Sequence, residues 1–131
     1  PLVLTPHDGE FVRLGGNIEQ SRLESARKFA KKHKVILVLK GSATIVALPD
    51  GRTFVNSTGN PGMATGGSGD VLSGIITSFI GQGLSPADAA CAAVWLHGKA
   101  GDKCSELFGQ RGMLPTDMIK TLPFLLREFE K

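Results

Sequence analysis

The sequence of 131 residues has no tyrosine, one tryptophan and two cysteines. Cys91 and Cys104 show no CxxC spacing and fall in or beside one predicted helix, which argues against a disulfide framework and a cysteine-held metal. Two reduced thiols in a cytoplasmic protein are the expectation. No apolar run approaches the ~20 residues that a membrane helix needs, so no membrane partner is expected. Pro1 to Arg13 reads as strand and loop, not as a secretion signal. Repeats, low-complexity tracts and linkers are missing too. The formal charge is only +3, which weakly favours anionic ligands and does not argue for nucleic acid. The basic residues Arg27, Lys28, Lys31, Lys32 and Lys34 share a helix face that reads as solvated.

Glycine is what the chain has in excess, 17 in all and outside any repeat. Tight turns and close backbone approaches follow. The length is that of one ordinary domain, and a hydrophobic fraction of 41% is enough for a core.

The pattern along the chain is α/β. Pro1 to Thr5 reads as a strand end stopped by Pro6, with a loop after it. Asn17 to Lys34 reads as a helix, with Asn17 and Gln20 as a capping box and Leu23, Ala26, Phe29 and Ala30 on one face. Val35 to Leu39 is apolar at every position, the mark of a strand buried on both faces in a parallel sheet. Thr44 to Leu48 and Arg52 to Val55 flank a Pro-Asp-Gly turn and read as a hairpin. A helix is expected from Asp70, ended by Gly81 and Gly83. Another starts at Ser85-Pro86 and runs to about Lys103. A last segment starts at Thr116-Asp117 and is interrupted or restarted at Pro123. A parallel sheet covered on both faces usually needs more strands than these. The chain is therefore expected to be part of a longer domain.

The chemistry is concentrated in "NPGMATGGSGDVLSGII", Asn60 to Ile76. Gly66, Gly67, Ser68 and Gly69 lead into a helix whose first turn offers unpaired N–H groups and a positive dipole end. Successive amides in such a turn form an anion-binding nest, and phosphate suits the place. Asp70 then carries a negative charge beside an anion site. It has a chemical role if it takes a proton from a hydroxyl that attacks a phosphoryl group held by those amides. Spacing alone equally fits an acid that merely caps a helix after a glycine loop. There is no GxxxxGK[ST], so this is not a Walker loop. Lys40-Gly41 ends the buried strand, where α/β folds bind ligands.

Four segments, in order, resemble the ADP-dependent NAD(P)H-hydrate dehydratases of the ribokinase-like superfamily. They are "LTPHDGEF", "LVLKGSATIVA", "GNPGMATGGSGDVLSGII" and "AAVWLHGKAGD". The fold this implies is ribokinase-like α/β, a sheet flanked by helices on both faces. Residues 1–131 would be the C-terminal half of the domain, without its N-terminal half or the epimerase domain often fused ahead of it. The implied reaction is dehydration of hydrated NADH or NADPH, with ADP converted to AMP and phosphate through phosphorylation of the substrate hydroxyl and elimination. ATP is an alternative donor, and Mg²⁺ is implied.

By position, the resemblance makes Asp70 the base that contacts the substrate hydroxyl and Gly67, Ser68 and Gly69 the anion hole, with Gly69 on the nucleotide phosphate. Lys40, Gly41, Ser42, Ala43 and Thr44 would form a nucleotide-binding loop, with Asn60, Ala64 and Thr65 lining the same site. His7 would contact the hydrated nicotinamide nucleotide, and Glu10 would support Mg²⁺ through water. His97 reads as a packed helix residue. Asp8 stands where the family usually has proline, and Ser68 replaces the commoner threonine. A homo-oligomer, or dependence on the missing half, is expected. Three other readings stay open: a ribokinase-like kinase for a vitamin or sugar hydroxyl, a nucleotide-binding fragment without catalysis, and a basic adaptor surface.

Overall fold

The computed structural model describes residues 1–130. Its sheet holds β1 (Val3–Leu4), β2 (Ile36–Leu39), β3 (Ile45–Ala47) and β4 (Thr53–Val55), in that spatial order. The all-apolar β2 is buried at each of its four positions. It runs parallel to β1, pairing Val3 with Ile36 and Leu4 with Leu37. On its other side it runs antiparallel to β3, so only half of the expected parallel pairing is present. β3 and β4 form the expected hairpin.

Helices cover both faces. Alternation along β2 sends Leu37 and Leu39 to one face, where Phe11, Ala26, Phe29 and Ala30 pack. Ile36 and Val38 go to the other, against Leu72, Ile75, Ile76, Ala90, Ala93 and Val94. The helices are α1 (Asp8–Arg13), α2 (Arg22–His33), α3 (Ser68–Gly81), α4 (Pro86–Gly112) and α5 (Pro115–Arg127). A 3₁₀ turn, Pro61–Met63, precedes α3.

Several expectations about the helices need correction. Asp8–Arg13 is a helix, not a loop: His7 Nδ1 accepts from the Glu10 amide, and Glu10 Oε1 accepts from the His7 amide, a reciprocal cap that nucleates the turn. α2 starts at Arg22, because the cap is Ser21 accepting from the Glu24 amide. Asn17 instead closes a local turn by accepting from the Glu19 amide, and Leu23 is 41% exposed, off the buried face. α4 runs beyond Lys103 to Gly112, broken only where Gly109 adopts φ 72°. α5 passes through Pro123 without interruption. Pro123 removes the partner of the Ile119 carbonyl, and Ile119 is half exposed, so water can replace that bond.

Both cysteines lie on α4 and are free. Burial pushes both thiols upward, with Asp88 adding to the shift at Cys91 against Arg52, and Thr121 opposing and Asp117 adding to it at Cys104, which disfavours the thiolate.

Candidate functional site

A cleft of about 690 Å³ opens at the C-terminal ends of the parallel strands β1 and β2. An isolated parallel bridge joins His7 to Lys40, so the two strand ends deliver both residues to the rim together. The Lys40 amide donates to the Pro6 carbonyl at 2.9 Å.

The loop after β2 is fastened from below. Arg22 Nη2 donates to the Lys40 carbonyl at 3.1 Å, and Nη1 donates to the Ala43 carbonyl at 3.3 Å. The same guanidinium reaches Asp8 Oδ1 through Nε at 3.1 Å and Nη2 at 2.9 Å. Asp8, the departure from the family's proline, is thus the counter-charge that orients Arg22. Gly41 leaves room for this clamp, since a Cβ there would lie 2.7 Å from Arg22 Nη2. Thr44 Oγ1 closes the loop by donating to the Gly41 carbonyl at 3.3 Å.

The glycine segment supplies the facing wall. Gly67 caps α3 at φ 97°, a left-handed conformation that disfavours any side chain. The helix begins at Ser68, two residues earlier than expected, which puts Asp70 at its third position. A Cβ at Gly69 would sit 2.8 Å from Lys40 Nζ. The missing side chain therefore lets the Lys40 ammonium rest against the first turn of α3. An ammonium and a helix N-terminus are alike in sign, and their convergence prepares the space for an anion.

The segment before the glycines is tied to α4. Asn56 Nδ2 donates to the Thr58 carbonyl at 3.1 Å, and Thr58 Oγ1 donates to the Trp95 carbonyl at 2.9 Å. Asp102 accepts from the Gly59 amide at 3.1 Å and from Asn60 Nδ2 at 3.0 Å. Asn60 Oδ1 in turn caps the 3₁₀ turn by accepting from the Gly62 amide at 3.0 Å. On the cleft wall, Ser68 Oγ and His97 Nε2 are 3.3 Å apart, both side chains buried. Burial pushes His97 down to about 4, with the Ser68 backbone opposing the shift and the Lys40 charge adding to it. The imidazole is neutral at physiological pH.

Of the residues expected from sequence, His7, Lys40, Gly41, Ser42, Thr44, Asn60, Ala64, Thr65, Ser68 and Gly69 line this one cleft. Ala43 and Gly67 shape it through the backbone, as an acceptor for Arg22 and as the cap of α3. Glu10 lies outside the lining; the His7 amide holds its carboxyl below the usual range against a smaller effect of burial, helped by the charges of His7, Lys40 and Arg13. Asp70 is exposed and borders a separate apolar groove between α3 and α5, lined by Val71, Gly74, Phe79, Ile119 and Leu122. Sequence reasoning missed Asn56, Thr58, Gly59, His97 and Gly98 in the cleft wall. The polar run from Asn56 to Asn60, adjoining the glycine motif, was the available signal for the first three.

The family profile described as NAD(P)H-hydrate dehydratase matches residues 1–124. The bifunctional NAD(P)H-hydrate repair enzyme Nnr of Moorella thermoacetica is 51% identical over 135 residues, covering 100% of this chain and 26% of that protein. The ADP-dependent (S)-NAD(P)H-hydrate dehydratase of Bacillus subtilis is 35% identical, covering 99% of this chain and 49% of that protein. The chain thus spans from a quarter to a half of the length of these curated relatives. A crystal structure of the B. subtilis ADP/ATP-dependent NAD(P)H-hydrate dehydratase, co-crystallized with ATP/Mg²⁺ and soaked with CoA, superposes at TM-score 0.94 with 35% identity, over 99% of this chain and 50% of that one. A ribokinase-like superfamily protein from Enterococcus faecalis superposes at TM-score 0.87 with 37% identity, over 97% and 44% of the two chains. Matched along nearly all its length in sequence and in fold, the chain belongs to the NAD(P)H-hydrate dehydratase family of ribokinase-like proteins.

Proposed function

We propose that this chain carries the nucleotide-binding and proton-abstracting side of an ADP-dependent NAD(P)H-hydrate dehydratase. The observation that carries the reading is the seating of Lys40 Nζ against the first turn of α3, in the space a Gly69 side chain would fill. The amides of Gly67 and Gly69 stabilise charge on the transferred phosphoryl group, while that of Ser68, the third amide expected there, donates to the Thr65 carbonyl at 3.2 Å. The loop from Lys40 to Thr44 holds the nucleotide, with Asn60, Ala64 and Thr65 on the adjoining wall. ADP is the donor, and ATP is the alternative. Asp70 takes the proton of the substrate hydroxyl as that oxygen attacks the phosphorus. AMP leaves as that bond forms; the phosphorylated oxygen then departs as phosphate and the neighbouring ring carbon loses a proton, which restores the double bond of NADH or NADPH. His7, 56% exposed at the rim, contacts the hydrated nicotinamide nucleotide.

The two flanks of the α3 terminus support this division of labour. Gly69 faces the cleft, while the next residue, Asp70, faces the groove beside α5. Donor and acceptor would approach the helix end from opposite sides. Among the described residues, no group of three His, Cys, Asp or Glu side chains could hold a metal. Mg²⁺ suits such a site as an ion held by phosphates and water, with Glu10 as an outer partner; it would offset phosphate charge.

We further propose that residues 1–131 are the C-terminal half of the domain. Among the described residues β1 pairs on one side only, with β2. The matched structures have about twice this length. Strands from the other half would extend the sheet at β1 and wall the Asp70 side. The full encoded polypeptide, given hydrated NADH, ADP and Mg²⁺, should regain NADH absorbance. Asp70→Asn should lower that rate by roughly 10² to 10⁴ and leave ADP affinity within about twofold. A lasting phosphorylated product would replace this reading with a kinase.

A further inference from the structure

Three polar side chains are buried among the described residues: Ser68, His97 and Thr121. Thr121 is satisfied within its own helix, donating to the Met118 carbonyl at 2.7 Å. Ser68 and His97 have only each other as side-chain partners, and both line the cleft. A pair of neutral groups buried together has two settings. In one, Ser68 donates to Nε2, and its oxygen offers the cleft only lone pairs. In the other, Nε2–H donates to the Ser68 oxygen, and the hydroxyl proton is free for a ligand.

The surroundings choose between them. Ser68 opens α3, whose first-turn amides and the adjacent Lys40 ammonium favour an anion. An anion accepts hydrogen bonds and cannot donate them. Lone pairs aimed at it would repel it, so the second setting is selected. A charged imidazole would also put a second cation beside Lys40, and burial opposes it.

We infer that His97 is a positioning residue whose neutral Nε2–H holds the Ser68 oxygen, so that the Ser68 hydroxyl donates to the phosphate bound at the start of α3. This rests on the nucleotide reading of the cleft. It adds a side-chain donor to an anion hole otherwise made of backbone.

The test uses the full encoded polypeptide, with ADP binding measured by calorimetry and the histidine tautomer by ¹⁵N NMR. Ser68→Ala and His97→Leu should each weaken ADP by about tenfold, the scale of one hydrogen bond to a charged group. The double variant should be no weaker than either single one, because both remove the same bond. His97→Gln can donate across the same gap and should recover most of the affinity. The His97 ring should be the Nε2–H tautomer with ADP bound, at pH 6 as at pH 8. An Nδ1–H tautomer, multiplying losses, or a Gln variant as weak as the Leu variant would overturn the inference while the nucleotide reading stands. A wild-type protein that binds no ADP would overturn both. Should His97→Leu misfold, Ser68→Ala and the tautomer still decide.

Discussion

At the residue scale, binding and stability pull apart at Gly69. Its absent Cβ is the space Lys40 Nζ uses, and a lysine tip moves easily. Gly69→Ala should therefore leave folding intact or add up to about 1 kcal/mol, since alanine suits a helix better. ADP affinity should still fall by about tenfold, the cost of one displaced charge-assisted bond. A thermal melt and a titration on the same sample separate the two effects. His97 gives a second prediction. Its pKa falls from 6.5 to about 4 on folding, so the unfolded chain takes the proton first. Stability from this group is complete above pH 6.5 and is lost as pH drops toward 4, by about 3 kcal/mol in all. Urea melts across that window should flatten in His97→Gln. Glu10, Glu24 and Asp50 have lowered pKa values, so their contributions are lost as pH falls below their ordinary values of 4.5, 4.5 and 3.8, which overlaps only the bottom of this window.

At the element scale, α4 is the post to which the cleft wall is strapped. Gly98 lets the Thr58 backbone lie directly on the helix, and Gly101 does the same for the Met63 side chain. A methyl at Gly98 would meet the Thr58 carbonyl carbon at 2.7 Å, which is backbone and cannot swing aside. Gly98→Ala should cost about 1–3 kcal/mol and weaken ADP binding. Gly101→Ala should cost less, because a methionine re-packs. Denaturant melts of the pair check the order. Elements whose signals are local were legible in the sequence: the apolar β2, the Pro-Asp-Gly hairpin, the Ser85-Pro86 start of α4. The missed α1 depended on a histidine acting as a cap, a role ordinarily filled by Ser, Thr, Asp or Asn. The start of α2 went to the wrong polar residue because Asn17 and Ser21 both offer a capping oxygen, and only the backbone geometry distinguishes them.

At the scale of the molecule, no helix among the described residues is long and apolar enough to cross a membrane. Among the described residues β1 pairs only with β2, and the Asp70 groove lies on α3 and α5, whose Val71 and Leu122 pack in one cluster with Val3 of β1. If the other half of the domain covers this side, fusing it should protect the β1 amides from hydrogen exchange and leave the β4 edge as it is; equal exchange at β1 in both forms would refute that placement. By itself the sequence determined the alternation of helix and buried strand, the glycine turn at the mouth of α3 and the family to which both belong. These follow from short-range rules: side-chain periodicity, the φ that glycine permits, and residue types at fixed spacing. Only the tertiary structure decided that Lys40 rests on Gly69, that Arg22 and Asp8 hold the loop from beneath, and that His97 meets Ser68. Each of those contacts joins residues 14 or more positions apart. Such pairs are set by how elements pack across the sheet, and no local pattern encodes them.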